Sequence, residues 1–346
     1  MRRLVTGTFA RFTGRLASSA LTLRPSAQAR SALLAASLFL ALALAQPARA
    51  AEDEPRRPFA QWADLPAEGQ LVIGPLYEQS EAYHIWAGDQ RHNITIHAND
   101  GESYGIDVRQ GYFTFDYGLT GRWAADFDIG ATTVGWRSFD PGGGIQQTTG
   151  LMDFTLGVRY QIFNEARERS PWLPTLTFRA AGIMPGTYTR EIAFSPGNSS
   201  AAIEPSLLLR KHLGWKGFGV WGDTFYRWEH TIGADQYAVA AGFFQQIRGW
   251  ELDVGFRHFQ VTSGSDISLI PPNGSAPWSG ITYLANVREI SESLDAGFSY
   301  TTKRHIRWGF HARKTFDGRN TDSALWLGGF VDVPLDHVFG RGKPAN

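Results

Sequence analysis

Residues 151–163 read Leu-Met-Asp-Phe-Thr-Leu-Gly-Val-Arg-Tyr-Gln-Ile-Phe, and this stretch decides the fold class of the chain. Its even positions, from Met152 to Ile162, are all apolar, whereas the odd positions between them are polar or small. Side chains alternate between the two faces of a β-strand, so the stretch has one apolar face and one charged face. A strand of a soluble sandwich can also alternate in this way, and recurrence of the pattern distinguishes the two cases.

The alternation recurs along the chain in segments of roughly ten or more residues, the length that a tilted strand needs to cross a bilayer. From the second strand onward, short turns interleave with other connections, most of which are longer. The short turns are predicted at 118–121, 164–172, 214–217, 248–249 and 302–305, and the other connections at 138–150, 186–200, 230–235, 262–281 and 317–322. Short periplasmic turns and longer extracellular loops are typical of outer-membrane barrels. The sequence therefore predicts an all-β fold, a closed transmembrane antiparallel up-and-down β-barrel of about 12 strands, in the outer membrane of a Gram-negative-type bacterium.

The second predicted strand, residues 104–117, changes phase. Apolar residues occupy even positions at Ile106 and Val108 but odd positions from Phe113 to Tyr117. A slip of one residue exchanges the two faces of a strand, so we predict a β-bulge near residues 110–111. Tryptophans near predicted strand ends fit the aromatic girdles at the two bilayer interfaces. They are Trp123, Trp136, Trp172, Trp215, Trp228, Trp250 and Trp326.

The first fifty residues form a separate segment. They contain seven arginines and no acidic residue, followed by an Ala/Leu-rich run at 31–45 and the small-x-small sequence Ala48-Arg49-Ala50. This pattern predicts a secretory signal peptide, residues 1–50, cleaved after Ala50. A mitochondrial transit peptide would fit the arginine and serine content but not the compact apolar run. Residues 51–70 are predicted to be a periplasmic lead-in, residues 71–339 the barrel, and residues 340–346 a polar C-terminal tail.

Removal of the signal peptide would leave 26 basic against 33 acidic residues, a net charge of −7. This charge lacks the basic footprint of a nucleic-acid-binding protein. The absence of cysteine excludes a disulfide framework. We predict no catalytic residues, no cofactor and no metal site, and therefore no enzyme.

Charged residues on the inward faces of the predicted strands are the candidate functional residues. In one interpretation they line a polar pathway and select the solute. In the other they form a ladder of cross-strand ion pairs that fills a narrow lumen, since burial favours the pairing of charges. Twelve strands lie between packed eight-stranded barrels and sixteen-stranded channels. The predicted lumen-lining residues are Asp126, Asp128, Asp153, Arg159, Arg179, Glu204, Arg210, Asp223, Arg227, Glu251, Asp253, Arg257, Asp295, Arg307, Arg313 and Asp332.

Three segments together resemble a known family. They are Asp-Tyr-Gly-Leu-Thr-Gly-Arg-Trp at 116–123, Gly-Leu-Met-Asp-Phe-Thr-Leu-Gly-Val-Arg-Tyr at 150–160 and Ile-Met-Pro-Gly at 183–186. Over about residues 104–190 the chain is similar to outer-membrane barrels of the MetA-pathway phenol-degradation transporter family. The resemblance implies passage of small, often aromatic or hydrophobic compounds. The chain departs from the usual barrel by ending in a polar tail instead of an aromatic residue.

The first functional hypothesis is a passive outer-membrane channel or transporter for small, apolar or aromatic solutes. The second is a plugged structural or interaction barrel that acts through its extracellular loops. The third is a barrel hydrolase, because Asp126-Phe-Asp128 has the spacing of outer-membrane proteases; those proteases also need an Asp-x-His sequence, which this chain lacks. The expected partners are outer-membrane lipid and lipopolysaccharide, the barrel-assembly machinery and an unidentified small-molecule solute, and no nucleic acid.

Overall fold

The computed structural model describes residues 63–93, 96–97, 103–137, 145–168, 170–188, 200–214, 217–230, 233–267 and 287–336. The regular secondary structure of these residues is entirely β. They contain no helix that is both long and apolar enough to cross a membrane. The strands are β1 (Leu71–Ala82), β2 (His84–Ala87), β3 (Gln90–Asn93), β4 (Ile96–His97), β5 (Ser103–Tyr104), β6 (Ile106–Thr120), β7 (Trp123–Arg137), β8 (Ile145–Leu151), β9 (Phe154–Phe163), β10 (Thr175–Met184), β11 (Ala202–His212), β12 (Phe218–Glu229), β13 (Gln236–Ile247), β14 (Trp250–Val261), β15 (Ile290–Thr301), β16 (Arg307–Arg319) and β17 (Leu325–Leu335).

The sheet closes on itself because the first and last of its strands pair with each other. β1 is antiparallel to β6 on one side and to β17 on the other, with Leu71 opposite Leu335 and Glu81 opposite Leu325. β8 and β9 share one place beside β7, so the wall has twelve strands. The hairpin β2–β3 and the short pair β4–β5 lie outside the wall, between β1 and β6. The predicted closed antiparallel barrel is confirmed.

The predicted bulge near residues 110–111 is wrong. The pairing of β6 with both neighbours is continuous through these residues, and its irregularity lies between Gly118 and Thr120. Ile106 and Val108 face inward, on the same side as Asp116. The apolar residues change from even to odd positions along β6 because an apolar cluster covers the inward face of this strand at its extracellular end, whereas lipid faces the outer side.

The stretch at 151–163 is not one uninterrupted strand, and the predicted connection at 138–150 is shorter than expected, since β8 begins at Ile145. β8 pairs with the upper part of β7 and β9 with the lower part, and the register changes by one residue between them. Met152 and Asp153 form the break, and Met152 is buried rather than lipid-facing. A one-residue insertion of this kind is a β-bulge, which reverses the faces of the strand on either side of it.

The outer face of the wall carries an apolar belt. Along β9, for example, Leu156 and Val158 are exposed whereas Gly157 and Arg159 are buried. Trp123, Trp172, Trp228 and Trp250 are also exposed and fit the girdle positions, but Trp326 is not a girdle residue, because it packs against the inward apolar cluster. Trp215 and the side chain of Trp136 lie outside the described residues.

The connections alternate in length in the described part of the chain. The strand ends that flank residues 121–122, 164–174, 213–217, 248–249 and 302–306 lie at one end of the barrel, and those that flank residues 83–105, 138–144, 185–201, 230–235, 262–289 and 320–324 lie at the other. By the usual asymmetry of membrane barrels the first end is periplasmic and the second extracellular.

Candidate functional site: the barrel lumen

The structure turns the predicted lining residues into the barrel, with the exception of Asp153. They occupy strand positions that alternate with the lipid-facing side chains. Asp153 lies in the break between β8 and β9, where its carboxylate accepts hydrogen bonds from the Gly186 N–H at 2.9 Å and from the Tyr188 hydroxyl at 2.8 Å. It therefore holds the beginning of the β10–β11 connection instead of lining the lumen.

Arg159 on β9 is completely buried between two carboxylates. Its guanidinium forms an ion pair with Asp116 of β6, and its Nε lies 3.3 Å from Oδ1 of Asp126 on β7. Asp116 was missed as a lining residue. The sequence does contain a signal for it, since Asp116 lies between the apolar residues Phe115 and Tyr117, but the predicted bulge obscured the phase of β6.

The ion pairs continue from Asp126 along the wall. Arg179 donates from Nε and Nη2 to Oδ2 of Asp126, at 2.9 and 2.6 Å, and its Nη1 lies 3.3 Å from Oε1 of Glu204. Arg227 donates to the other oxygen of Glu204 at 2.9 and 2.7 Å. Asp128 lies 3.6 Å from Arg179. A continuous chain of alternating charges thus crosses β6, β7, β9, β10, β11 and β12.

Glu251 on β14 bridges two further arginines. Oε2 of Glu251 accepts from Arg210 at 2.6 Å, and Oε1 accepts from Arg307 at 3.2 Å. Arg307 also donates to the Ser299 hydroxyl at 3.0 Å. The guanidinium carbon of Arg210 lies 4.1 Å above the ring of Phe244, which adds a cation–π contact. All of these side chains are buried.

Asp295 on β15 has the same bridging role nearer the extracellular end. It accepts from Arg257 at 3.2 Å and from Arg313 at 2.6 Å, and Arg257 also reaches Asp223 at 3.5 Å. Of the remaining predicted lining residues, Asp253 lies beside Gly297 and Asp332 beside Gly74, where a Cβ atom would contact the carboxylate.

One buried polar group was missed because the first strand has a weak pattern. Glu78 on β1 accepts a hydrogen bond from Gln110 at 2.6 Å and lies 2.7 Å from Nε2 of His311. The alternation along residues 71–82 is blurred by glycine, proline and two outward polar residues, so the sequence did not indicate its inward face.

Two parts of the wall carry different charges. Among the described residues, the inward-facing arginines all lie on strands β9 to β16, which we call the arginine wall. The remaining strands, β17, β1, β6 and β7, contribute carboxylates but no inward arginine in the described part. We call them the seam wall, because the first and last barrel strands meet there. At its extracellular end the seam wall carries a buried apolar cluster of Ala82, Ile85, Ile106, Val134 and Ala324, against which Val108 and Trp326 pack.

The hairpin β2–β3 covers the extracellular end of the seam wall. The side chain of Ile85, on β2, belongs to the apolar cluster and is 2% exposed. The backbone N–H of Trp86 donates to the carbonyl of Thr321 at 2.8 Å, and the Gly88 N–H donates to Oδ1 of Asn320 at 2.7 Å. An ion pair of 2.8 Å joins Asp89 to Arg319. The hairpin is thereby fastened to the β16–β17 turn.

Residues 63–68 enter the periplasmic mouth of the barrel. Ala63 is fully buried against Leu208, and its carbonyl accepts hydrogen bonds from the side chains of Gln161, at 3.2 Å, and Thr177. The carbonyl of Asp64 accepts from Arg159 at 3.5 Å.

The end of this segment pairs with the wall itself. Glu68 forms a parallel bridge with Gly118. A Cβ atom at residue 118 would overlap the carbonyl oxygen of Ala67, so the close approach requires glycine.

A cavity of about 60 Å³ lies beside Asp295, Arg307, His311 and Phe330. That volume accommodates water but not an organic solute. The described inward arginines of this region are joined to carboxylates by ion pairs.

The hydrolase hypothesis finds no arrangement to support it. Asp126 is engaged by Arg159 and Arg179, and Asp128 also lies near Arg179, so the two carboxylates are oriented by arginines instead of facing a shared water site. Within the described residues no group of three or more metal-ligating side chains converges.

Solved structures share the architecture. The COG4313 outer membrane channel from Pseudomonas putida F1 matches with a TM-score of 0.58 and 16% identity, over 82% of this chain and 100% of that chain. The translocator domain of the autotransporter NalP from Neisseria meningitidis matches with a TM-score of 0.43 and 11% identity, over 89% of this chain and 96% of that one. The toluene transporter TodX from Pseudomonas putida matches with a TM-score of 0.39 and 11% identity, over 85% and 97%. No protein-family model and no curated protein matches the chain.

The likeness is one of fold. At 16% identity the Pseudomonas channel shows that this chain has the architecture of an outer-membrane β-barrel. The function has to be argued from the lumen, because one fold can serve many functions.

Proposed function

We propose that this chain is an outer-membrane channel through which small, apolar or aromatic solutes pass passively. The observation that carries the proposal is that two segments cover the ends of the barrel. Residues 63–68 occupy the periplasmic mouth and the hairpin β2–β3 covers the extracellular end, and neither is one of the twelve wall strands. Both segments can move without breaking the strand pairing that closes the barrel.

Two further points support an apolar or aromatic solute. The residue pattern over about 104–190 resembles the MetA-pathway phenol-degradation transporters, for which such solutes are expected. The extracellular end of the seam wall is lined by apolar side chains once the hairpin is lifted, and Ile106 and Val134 would then face an entering solute. The proposed surroundings are the lipid and lipopolysaccharide of a Gram-negative outer membrane, reached through the barrel-assembly machinery.

The test is conductance across a planar bilayer. We expect low conductance for the chain from residue 51 onward and a several-fold increase for a variant lacking residues 51–68. The double variant Gln161→Leu/Thr177→Val should give a similar increase, because it removes the two side chains that hold the Ala63 carbonyl while leaving the chain complete. Toluene added to the bath should reduce the conductance of the opened variants.

Thr133→Val is the matched control. The Thr133 hydroxyl bonds to Thr149 on the outer face, 3.0 Å away, so its loss should leave conductance unchanged. If neither opened variant conducts, or if glycerol reduces the conductance as strongly as toluene does, the proposal fails.

The second candidate is a plugged barrel that acts through its extracellular loops. The fastening of β2–β3 to the β16–β17 turn favours it, because a cross-linked extracellular surface is suited to recognition. Persistent closure of the opened variants, together with loss of cell-surface binding of a partner on removal of residues 84–93, would support this alternative.

A further inference from the structure

The outer face of the seam wall and of the adjacent strand β16 contains a groove of about 640 Å³. Pro75, Tyr77, Gly111, Phe113, Ala131 and Phe310 are among the residues that line it. Its volume lies within the range of roughly 300–1,000 Å³ that is typical of ligand pockets. The groove opens away from the lumen, toward the surroundings of the barrel.

Strand register explains why the groove forms at this place. Ala131, Gly111, Tyr77, Gly329 and Phe310 are consecutive partners across β7, β6, β1, β17 and β16, and all five face outward. Small residues thus flank Tyr77 on both sides. A Cβ atom at Gly111 would meet nothing closer than the Leu76 carbonyl oxygen at 3.8 Å, so the floor of the groove is bare backbone.

The same height on the opposite wall is filled. Outward positions there carry large side chains such as Leu207, Val239 and Val254 on several strands. The outward glycine at position 182 lies between Leu156 and Ile203, so large side chains flank it, whereas Gly111 and Gly329 flank Tyr77.

Polar residues mark the depth of the groove. Two residues further toward the extracellular end, the outward side chains on β1 and β6 are Gln79 and Arg109. Arg109 is exposed and pairs with Asp107 at 2.9 Å. Charged outward side chains lie at the interface and not in hydrocarbon, so the groove begins directly beneath the interface of the outer leaflet.

We propose that the groove is a binding site for one acyl chain of an outer-leaflet lipid, with the lipid headgroup beside Arg109. The apolar lining and the bare glycine floor suit a flexible hydrocarbon chain, which fills an irregular depression better than a rigid ring. The opening to the bilayer supplies such chains directly. The site does not depend on whether the lumen conducts, and its test is separate from that of the proposed channel function.

The experiment counts lipid retained by the purified barrel, using native mass spectrometry after incubation with lipid A, the acylated anchor of lipopolysaccharide. Gly111→Leu should reduce the retained lipid several-fold, because the leucine side chain fills the floor. Ala131→Leu fills the same groove from β7 and should have the same effect, so the proposal does not depend on the folding of one variant.

Gly182→Leu is the matched control. Gly182 faces outward on β10, and a Cβ atom there would also meet nothing within 4 Å, but it lies on the arginine wall. Retention should be unchanged by this substitution. Equal retention in all four proteins, or an equal loss in all three variants, would overturn the proposal. A free apolar solute would be the occupant instead if Gly111→Leu weakened binding of toluene and left lipid A retention intact.

Discussion

The arginine wall and the seam wall have the same backbone architecture but are held together by different interactions. In the arginine wall, guanidinium groups such as those of Arg179, Arg210 and Arg257 each join their own strand to another strand, adjacent or further along the wall, through buried carboxylates. In the seam wall, apolar contacts at the extracellular end take the place of such links. Removal of one charge from a buried network leaves its partner charges buried without compensation, which has a large free-energy cost. The cost of removing an apolar side chain scales with the contacts that this side chain makes. The arginine wall is therefore expected to be the more rigid part, and the seam wall the part whose covering segments can move.

The largest expected effect comes from Arg159→Met. Arg159 lies between Asp116 and Asp126, so its loss would leave two buried carboxylates facing each other. Breaking a buried charge network in this way typically costs about 3–5 kcal/mol. Urea titration of the barrel in detergent micelles should show a large fall in the free energy of unfolding.

Arg109→Met provides the comparison for that experiment. Arg109 and its partner Asp107 are exposed on the seam wall, and such pairs contribute about 0–1 kcal/mol. If Arg159→Met and Arg109→Met unfold at the same urea concentration, the buried network does not make the arginine wall the more rigid part of the barrel.

The next effect is confined to the covering of the seam wall. Ile85→Ser removes the side chain that seats the hairpin β2–β3 in the apolar cluster, and large-to-small changes at buried positions cost about 2–5 kcal/mol. Because the hairpin is outside the wall, we expect faster cleavage by trypsin after Arg91 with little change in barrel unfolding. Ile85→Val should behave almost as the parent chain does. Unfolding of the whole barrel at lower urea in Ile85→Ser would show that the hairpin is part of the barrel's cooperative unit.

The sequence predicted the arginine wall better than the seam wall, for a physical reason. Along β9 to β16, lipid covers one face and charges the other, so hydrophobic alternation reports the orientation directly. In the seam wall, the hairpin covers the lumen side of Ile106, so an apolar residue there faces inward. Alternation identifies which face is apolar but not what covers it, and this ambiguity produced the false bulge at 110–111.

Two features of the lumen could not be predicted from the pattern at all. The partners of each arginine depend on strand register, which the one-residue insertion at Met152 and Asp153 shifts. The periplasmic segment is held through the Ala63 carbonyl, and a backbone acceptor has no sequence signature.

A pH dependence is expected at the extracellular end of the barrel, where Glu289, next to β15, contacts the β16–β17 turn that holds the hairpin β2–β3. Burial raises the pKa of Glu289 to about 7. The hydrogen bond from Thr321 lowers this pKa, and the nearby carboxylate of Asp322 raises it further. A carboxyl group whose pKa is raised in the folded state contributes its full stabilisation at pH values below its ordinary pKa of 4.5. This stabilisation is lost as the pH rises through 7. Hydrogen exchange at the amide of Trp86, which donates to Thr321, should therefore become faster between pH 5 and 8, by more than the intrinsic rate does.

Glu289→Gln should abolish this change, and Glu81→Gln, on the exposed face of β1, should retain it. An unaltered pH profile in Glu289→Gln would exclude Glu289 as the source.

The smallest effect is expected at the periplasmic base of the arginine wall, and its sign is opposite. Burial raises the pKa of Glu165, but hydrogen bonds from His212 and Lys211 outweigh burial and hold the pKa below its ordinary range. The stability from this group is present above pH 4.5 and is lost as the pH falls through the lowered pKa. The backbone N–H of His212 donates to Glu165 at 3.0 Å, so its exchange, corrected for the intrinsic rate, should quicken toward acid pH. Glu165→Gln should remove the acid sensitivity, whereas Glu168→Gln in the same turn should preserve it. Hydrogen exchange should therefore become faster toward alkaline pH at the extracellular end, near Glu289, and toward acid pH at the periplasmic end, near Glu165. The same pH direction at both ends would contradict the assignment of these two carboxylates.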